Sequence, residues 1–179
     1  MLMNRVWTVL VVVASLLVTV RDVAADDTLD PARHVRASTR ELQALLRETA
    51  AASPTFKALV DRLEISDLIV YIDARRLARI ARGRLRWITA TDGARYLQID
   101  IAWPLWPADQ ATALGHELAH AVEVANAPAI RNVDTLLLFY RSVGRREDVC
   151  VGLAFETATA KATEEHIRQE LRYTSAARD

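Results

Sequence analysis

Residues 114–123 place two histidines and a glutamate at a spacing that suits a metal ion. The segment reads LGHELAHAVE, so His116 and His120 are four positions apart and Glu117 directly follows the first histidine. Its apolar residues recur at the spacing of one helical stripe, which predicts a helix. Residues four apart on a helix project to the same side, so both imidazoles can hold one ion with Glu117 beside it.

Two imidazoles with a neighbouring carboxylate have the chemistry of a zinc hydrolase. Zinc accepts neutral imidazole nitrogen and, with three protein ligands, keeps a position for water, whose pKa it lowers to about 7. Glu117 can take the proton from that water and pass it to a leaving amine. The alternative is a solvated helix face that carries these three residues by chance.

A third ligand is required, because two histidines alone hold zinc weakly. The sequence favours Glu156, which lies 36 residues after His120, far enough for an intervening helix and turn. It is the only acidic residue in the mostly apolar segment 149–160. Burying such an acid is costly unless a cation compensates its charge. The alternative is a partly exposed acid at the start of a helix, where the dipole favours it.

The other acidic residues near these ligands receive supporting roles. Glu123 returns to the side of the helix that carries His116, and we predict that it holds His120 rather than the ion. Segment 164–166, Glu-Glu-His, lies among charged residues and is predicted to be a solvated face. The sequence does not choose among the candidates for stabilising an oxyanion, which are Tyr71, Tyr96, Tyr140, Arg145 and Arg146.

Segment 116–120 resembles the signature of the zincin metallopeptidases. Metzincins have a glycine and a third histidine where this chain has Glu123 and Asn126, so the chain is more similar to the gluzincin branch. That resemblance implies a glutamate ligand on a following helix, here Glu156, together with peptidase activity. It also implies a sheet whose edge strand can bind an extended peptide.

One feature of the gluzincins is missing from this chain. They often carry an aspartate four residues after the ligand glutamate, and this aspartate orients a histidine. The chain has Ala160 at that position. The resemblance therefore implies that Glu123 or Asp134 fills this role.

The elements that must position these residues form an α+β pattern, with a mostly antiparallel sheet packed on helices. Together with the resemblance, this pattern predicts a small zincin-like domain. A helix carries the two histidines, and a C-terminal helix carries Glu156. The predicted helices cover residues 31–51, a short segment opened by Ser53-Pro54, residues 107–126, residues 134–143, and a segment from 151 or 155 to 172. The predicted strands are 68–72, 85–91 and 95–102, with a hairpin at Asp92-Gly93 and a possible helical turn at 77–82.

The first 25 residues are typical of a secretory signal peptide. Arg5 precedes an apolar run over residues 6–20, and Val-Ala-Ala at 23–25 suits a signal peptidase. The run is shorter than the roughly 20 residues that span a bilayer, so no stable membrane insertion is expected after cleavage. Residues 26–179 would then form a single domain that is secreted or periplasmic.

The composition of the chain indicates which partners to expect. The chain has 23 basic and 23 acidic residues, and this balance does not favour nucleic acid. An arginine cluster at 75–86 is predicted to be a solvated face or a contact to an acidic partner. Cys150 is the only cysteine, so it cannot form an internal disulfide, and we predict a small buried core residue.

The sequence thus predicts an exported zinc-dependent hydrolase, most simply a metallopeptidase that acts on a peptide or protein. Zinc would be held by His116, His120 and Glu156, with Glu117 as the general base. An amidase that acts on cell-wall peptides would share this site. The alternative from another class is a non-enzymatic envelope binding module with a zincin-like fold and a structural or vestigial metal site. The oligomeric state and the exact substrate are left open.

Overall fold

A computed structural model of the protein describes residues 33–77, 81–148 and 153–176. The predicted signal peptide and Cys150 lie outside the described residues, as does the middle of the helical turn predicted at 77–82. In chain order the elements are β1 (Val35–Ala37), α1 (Arg40–Ala52), α2 (Pro54–Glu64), β2 (Leu68–Arg75), β3 (Gly83–Ala90), β4 (Arg95–Ala102), α3 (Pro107–Ala125), α4 (Val133–Val143), β5 (Arg145–Asp148), β6 (Leu153–Glu156) and α5 (Ala158–Ala176).

The helix predicted over residues 31–51 is partly wrong, because its first part forms β1. Thr39 has an extended backbone, and its side chain accepts a hydrogen bond from the N–H of Leu42, which starts α1 at Arg40. The residues before this cap pair with β2, with Val35 opposite Val70. A side-chain cap therefore decides where the helix begins.

The main sheet has the strand order β1-β2-β4-β3. Strands β1 and β4 both run parallel to β2, and only β3 is antiparallel to its neighbour β4. The prediction of a mostly antiparallel sheet is therefore wrong for this sheet, which is mixed. Helices α1 and α2 form the crossover between β1 and β2, and such a crossover brings two strands into parallel alignment. The predicted hairpin is confirmed as β3 and β4.

Four other helix boundaries agree with the prediction. Ser53 caps α2 by accepting a hydrogen bond from the N–H of Phe56 at 3.0 Å. Helix α3 begins at Pro107 and ends before Asn126, and α4 ends before Gly144. None of the described helices is both long and apolar enough to cross a membrane.

The C-terminal region differs from the prediction of one long helix from residue 151 or 155. Strands β5 and β6 form an antiparallel pair, and α5 starts only at Ala158. Thr157 caps this helix, since its side chain accepts a hydrogen bond from the N–H of Ala160 at 3.1 Å. Glu156 is therefore the last residue of a strand, and the predicted glutamate-bearing helix is wrong.

Helices α3 and α5 pack closely at Gly115. A Cβ atom at Gly115 would lie 2.3 Å from Cδ1 of Ile167, so the missing side chain makes room for α5. Ala160, Ile167 and Leu114 are fully buried around the contact. This packing places the C-terminal helix alongside the two histidines.

The arginine cluster binds acidic residues of the chain itself. Asp100, on β4, is fully buried. Its carboxylate accepts hydrogen bonds from Arg84 at 2.7 Å and Arg86 at 3.0 Å, and Arg75 lies 3.4 Å away. Burial raises the pKa of Asp100, but the hydrogen bonds from these arginines outweigh it and the net pKa is lowered. Arg79 lies outside the described residues.

Candidate metal centre

The three predicted ligands meet where α3 faces the end of β6. The Nε2 atoms of His116 and His120 lie 2.8 Å and 3.4 Å from Oε1 of Glu156. One donor atom from each residue lies within 4.8 Å of the other two, so the group could hold a metal ion. The helix supplies the two histidines one turn apart, and the β5–β6 pair carries the glutamate to them.

The donor set suits zinc in kind and in spacing. Two imidazole nitrogens and one carboxylate oxygen form one of the ligand sets found at catalytic zinc sites. Ligand bonds of about 2.0–2.1 Å at tetrahedral angles separate donor atoms by roughly 3.3 Å, close to the distances from Glu156 to both histidines. The alternative of a solvated helix face is wrong, since the side chains of His116 and His120 are only 12% and 7% exposed.

The outer nitrogen of His120 is held by Glu123. Nδ1 lies 2.9 Å from Oε2 of Glu123, which confirms the predicted contact. The other oxygen of Glu123 accepts a hydrogen bond of 2.6 Å from the hydroxyl of Thr157. Tyr140 donates a hydrogen bond of 3.2 Å to the backbone oxygen of His120. These contacts fix the imidazole with Nε2 towards Glu156, the orientation that ligation requires.

The outer nitrogen of His116 faces Glu164, which was predicted to be part of a solvated face. Its Oε2 lies 3.2 Å from Nδ1 of His116, and its side chain is only 20% exposed. The prediction is wrong because Glu164 shares one side of α5 with the buried Ala160 and Ile167, and this side packs against α3. Asp134, the other residue considered for orienting a histidine, is exposed in the first turn of α4.

The site concentrates negative charge around the histidines. Burial alone would raise the pKa of Glu156, but hydrogen bonds with His116 and His120 lower it to about 2. Burial would lower the pKa of His120, but hydrogen bonds to Glu123 and Glu156 raise it to about 9. Burial would also lower the pKa of His116, but its hydrogen bond with Glu156 opposes this effect and the net pKa is raised. The carboxylates thus favour positive charge between them, which is the electrostatic condition for binding a cation.

Glu117 lies between α3 and the beginning of β3. Burial raises its pKa, although the charges of His120 and His116 and a hydrogen bond from the backbone of Leu85 oppose the shift. Gly83 packs directly on this side chain, because a Cβ there would lie 2.6 Å from Oε1 and 2.7 Å from Cγ of Glu117. Strand β3 is one of the two outer strands of the main sheet. The candidate general base therefore lies next to an edge strand.

The position of Glu117 can be tested with a single methyl group. Gly83→Ala is expected to push the carboxylate aside and to lower any hydrolytic rate by about 100-fold, the cost of a displacement on the order of 1 Å. Zinc content should stay at the wild-type value, because the three ligands are not touched. Rate and metal content are measured on the same preparation.

Gly93→Ala is the matched control for this variant. A Cβ at Gly93 meets nothing within 4 Å, so the rate should stay at the wild-type value. Equal rates for Gly83→Ala and wild type would contradict the role given to Glu117.

The remaining oxyanion candidates occupy different places. Tyr140 is buried beside His120, and burial raises its pKa, so its hydroxyl stays protonated. Tyr71 accepts a hydrogen bond from Arg36 at 3.2 Å, away from the histidines on β2, and Tyr96 lies on β4. Arg145 and Arg146 belong to β5, and the backbone of Arg145 lies opposite that of Glu156 in the β5–β6 register.

Comparisons of this chain with models of protein families, with curated proteins and with solved structures found no match.

Proposed function

We propose that this protein is an exported zinc-dependent hydrolase, most simply a metallopeptidase. The observation that carries the proposal is the convergence of two histidine Nε2 atoms on one oxygen of Glu156. The zincin resemblance of segment 116–120 supports zinc as the ion, and the N-terminal signal pattern supports export to the periplasm or medium. His116, His120 and Glu156 would hold the ion.

Glu117 would serve as the proton carrier of the reaction. Bound zinc supplies Lewis-acid chemistry, acidifying water and polarising a carbonyl group. The Glu117 carboxylate takes the proton of the attacking water and delivers it to the departing nitrogen. Its pKa, raised by burial, supports the second step, because a larger share of the carboxyl then holds the proton near neutral pH and can deliver it.

The substrate class is an extended peptide or protein segment. Strand β3 lies at the edge of the sheet, and its first residue, Gly83, contacts Glu117. A peptide that pairs with this edge would gain backbone hydrogen bonds and run past the carboxylate. This arrangement favours a peptidase over a hydrolase of small molecules.

The direct test is metal content together with peptide hydrolysis. Purified protein is expected to contain about one zinc per chain. A mixture of unstructured peptides should be cleaved, with cleavage abolished by a chelator and restored by added zinc. Protein that binds no zinc when the metal is added back would refute the proposal. If zinc raises Tm but no peptide or cell-wall peptide is cleaved, the enzyme proposal fails and the binding-module alternative takes its place.

A further inference from the structure

We propose that Glu164 is the positioning residue for His116, held in place by Arg82 and Arg168. Such a residue acts through the imidazole and does not bind the ion. The inference deepens the proposed function and rests on it. It assigns a role at the site to α5, although the sequence predicted no site residue after Glu156.

The two carboxylate oxygens of Glu164 have different partners. Oε1 accepts hydrogen bonds from Arg82, at 3.2 Å, and from Arg168. Oε2 is left facing Nδ1 of His116 at 3.2 Å. The arginines therefore fix the carboxylate plane without occupying the oxygen that faces the imidazole.

Nδ1 of His116 is a buried nitrogen that still needs a partner. Its distance to Glu164 is short enough for a hydrogen bond, but the two groups are not aligned well enough to form one. A buried N–H without a partner carries a cost in stability. Among the described residues, Glu164 has the carboxylate that lies within reach of this nitrogen. A small turn of the imidazole relieves the cost, and ligand histidines almost always donate this second N–H.

Arg82 connects this contact to the rest of the site. Its guanidinium also donates to Asp109 at 2.9 Å and to Thr112 at 3.2 Å, both on α3. Arg82 directly precedes Gly83, the residue that packs on Glu117. One arginine thus ties the start of β3 to the metal-binding helix and to Glu164. The same contacts could serve only to stabilise the packing of α5, and the experiment must separate these two roles.

The experiment compares zinc affinity in three variants of the full-length chain. Glu164→Ala is expected to raise the zinc Kd by about 10–100-fold, the usual cost of losing the partner of a ligand histidine. Glu164→Gln keeps an oxygen that can accept the Nδ1 proton but weakens the arginine contacts, so it should recover most of the affinity. Glu165→Gln is the control, because Glu165 is an exposed neighbour that also pairs with Arg168. Competition with a chromophoric chelator measures Kd, and circular dichroism of the metal-free proteins reports folding.

Each outcome decides between the two roles. Wild-type affinity in Glu164→Ala would overturn the positioning role, and equal losses in the Ala and Gln variants would assign Glu164 to packing through its arginines. If Glu164→Ala does not fold, ¹⁵N NMR of the zinc-loaded wild type decides. The proposal expects a proton on Nδ1 of His116, and a metal-bound Nδ1 would overturn it. A wild-type protein that binds no zinc would instead refute the proposed function itself.

Discussion

Glu117→Gln is expected to lower kcat for peptide hydrolysis by about 10²–10⁴-fold, the usual contribution of a general acid or base. Glutamine has the size of glutamate but cannot take a proton from water. The variant should still bind one zinc per chain, because both histidines and Glu156 are unchanged. Rates under saturating peptide and elemental analysis of the same samples check both statements.

The Tm of Glu117→Gln distinguishes the loss of the proton carrier from damage to the fold. Glu117 is buried and its pKa is raised by that burial, so a neutral amide at this position should not lower Tm. Glu165→Gln, on the exposed side of α5, is the control for removing one negative charge. Hydrolysis at the wild-type rate in Glu117→Gln would show that another group carries the proton.

The local part of the site could be predicted from sequence because it depends on one helix. The spacing of His116 and His120 fixes their relative position once the segment is helical, and the apolar stripe shows that it is. Glu156 was identified by its chemistry, as an isolated acid in an apolar segment. The chemistry of the acid does not depend on the element that carries it, and the structure brings the Glu156 carboxylate to both histidines although the predicted helix is wrong.

Glu164 was missed because it lies in a charged segment. Such a segment can face solvent or a buried partner, and composition does not distinguish the two. The signal that could have found it is the helical period of the apolar residues. Residues 160, 164, 167 and 171 fall on one helix side, and three of them are apolar. Glu164 is the polar exception on the buried side.

The sheet could be predicted only in its local part. The hairpin of β3 and β4 follows from a short turn between two alternating strands. The pairing of β1 with β2 joins residues 35 apart, such as Val35 and Val70, and three residues carry too little pattern to predict it. The burial of Asp100 could not be predicted for a related reason, because its arginine partners lie on β2 and β3.

Glu156→Gln is expected to weaken zinc binding by more than about 100-fold, beyond the 10–100-fold cost of losing a residue that only orients a ligand. Glutamine keeps the shape of the side chain at the end of β6. It removes the negative charge that both histidines face and that helps to raise the pKa of His120. An amide oxygen is a much weaker ligand for zinc than a carboxylate, so shape alone should not rescue binding.

Glu123→Gln is the matched control, because Glu123 contacts His120 from the opposite side, through Nδ1. The order of zinc Kd values should be wild type, then Glu123→Gln, then Glu156→Gln, measured by chelator competition at one pH. A larger loss in Glu123→Gln than in Glu156→Gln would exchange the two roles. Glu123 would then be the ligand, and Glu156 would only stabilise the protonated histidines. Because both glutamates lie within hydrogen-bond distance of His120, this ranking tests the assignment of the third ligand more directly than a single variant can.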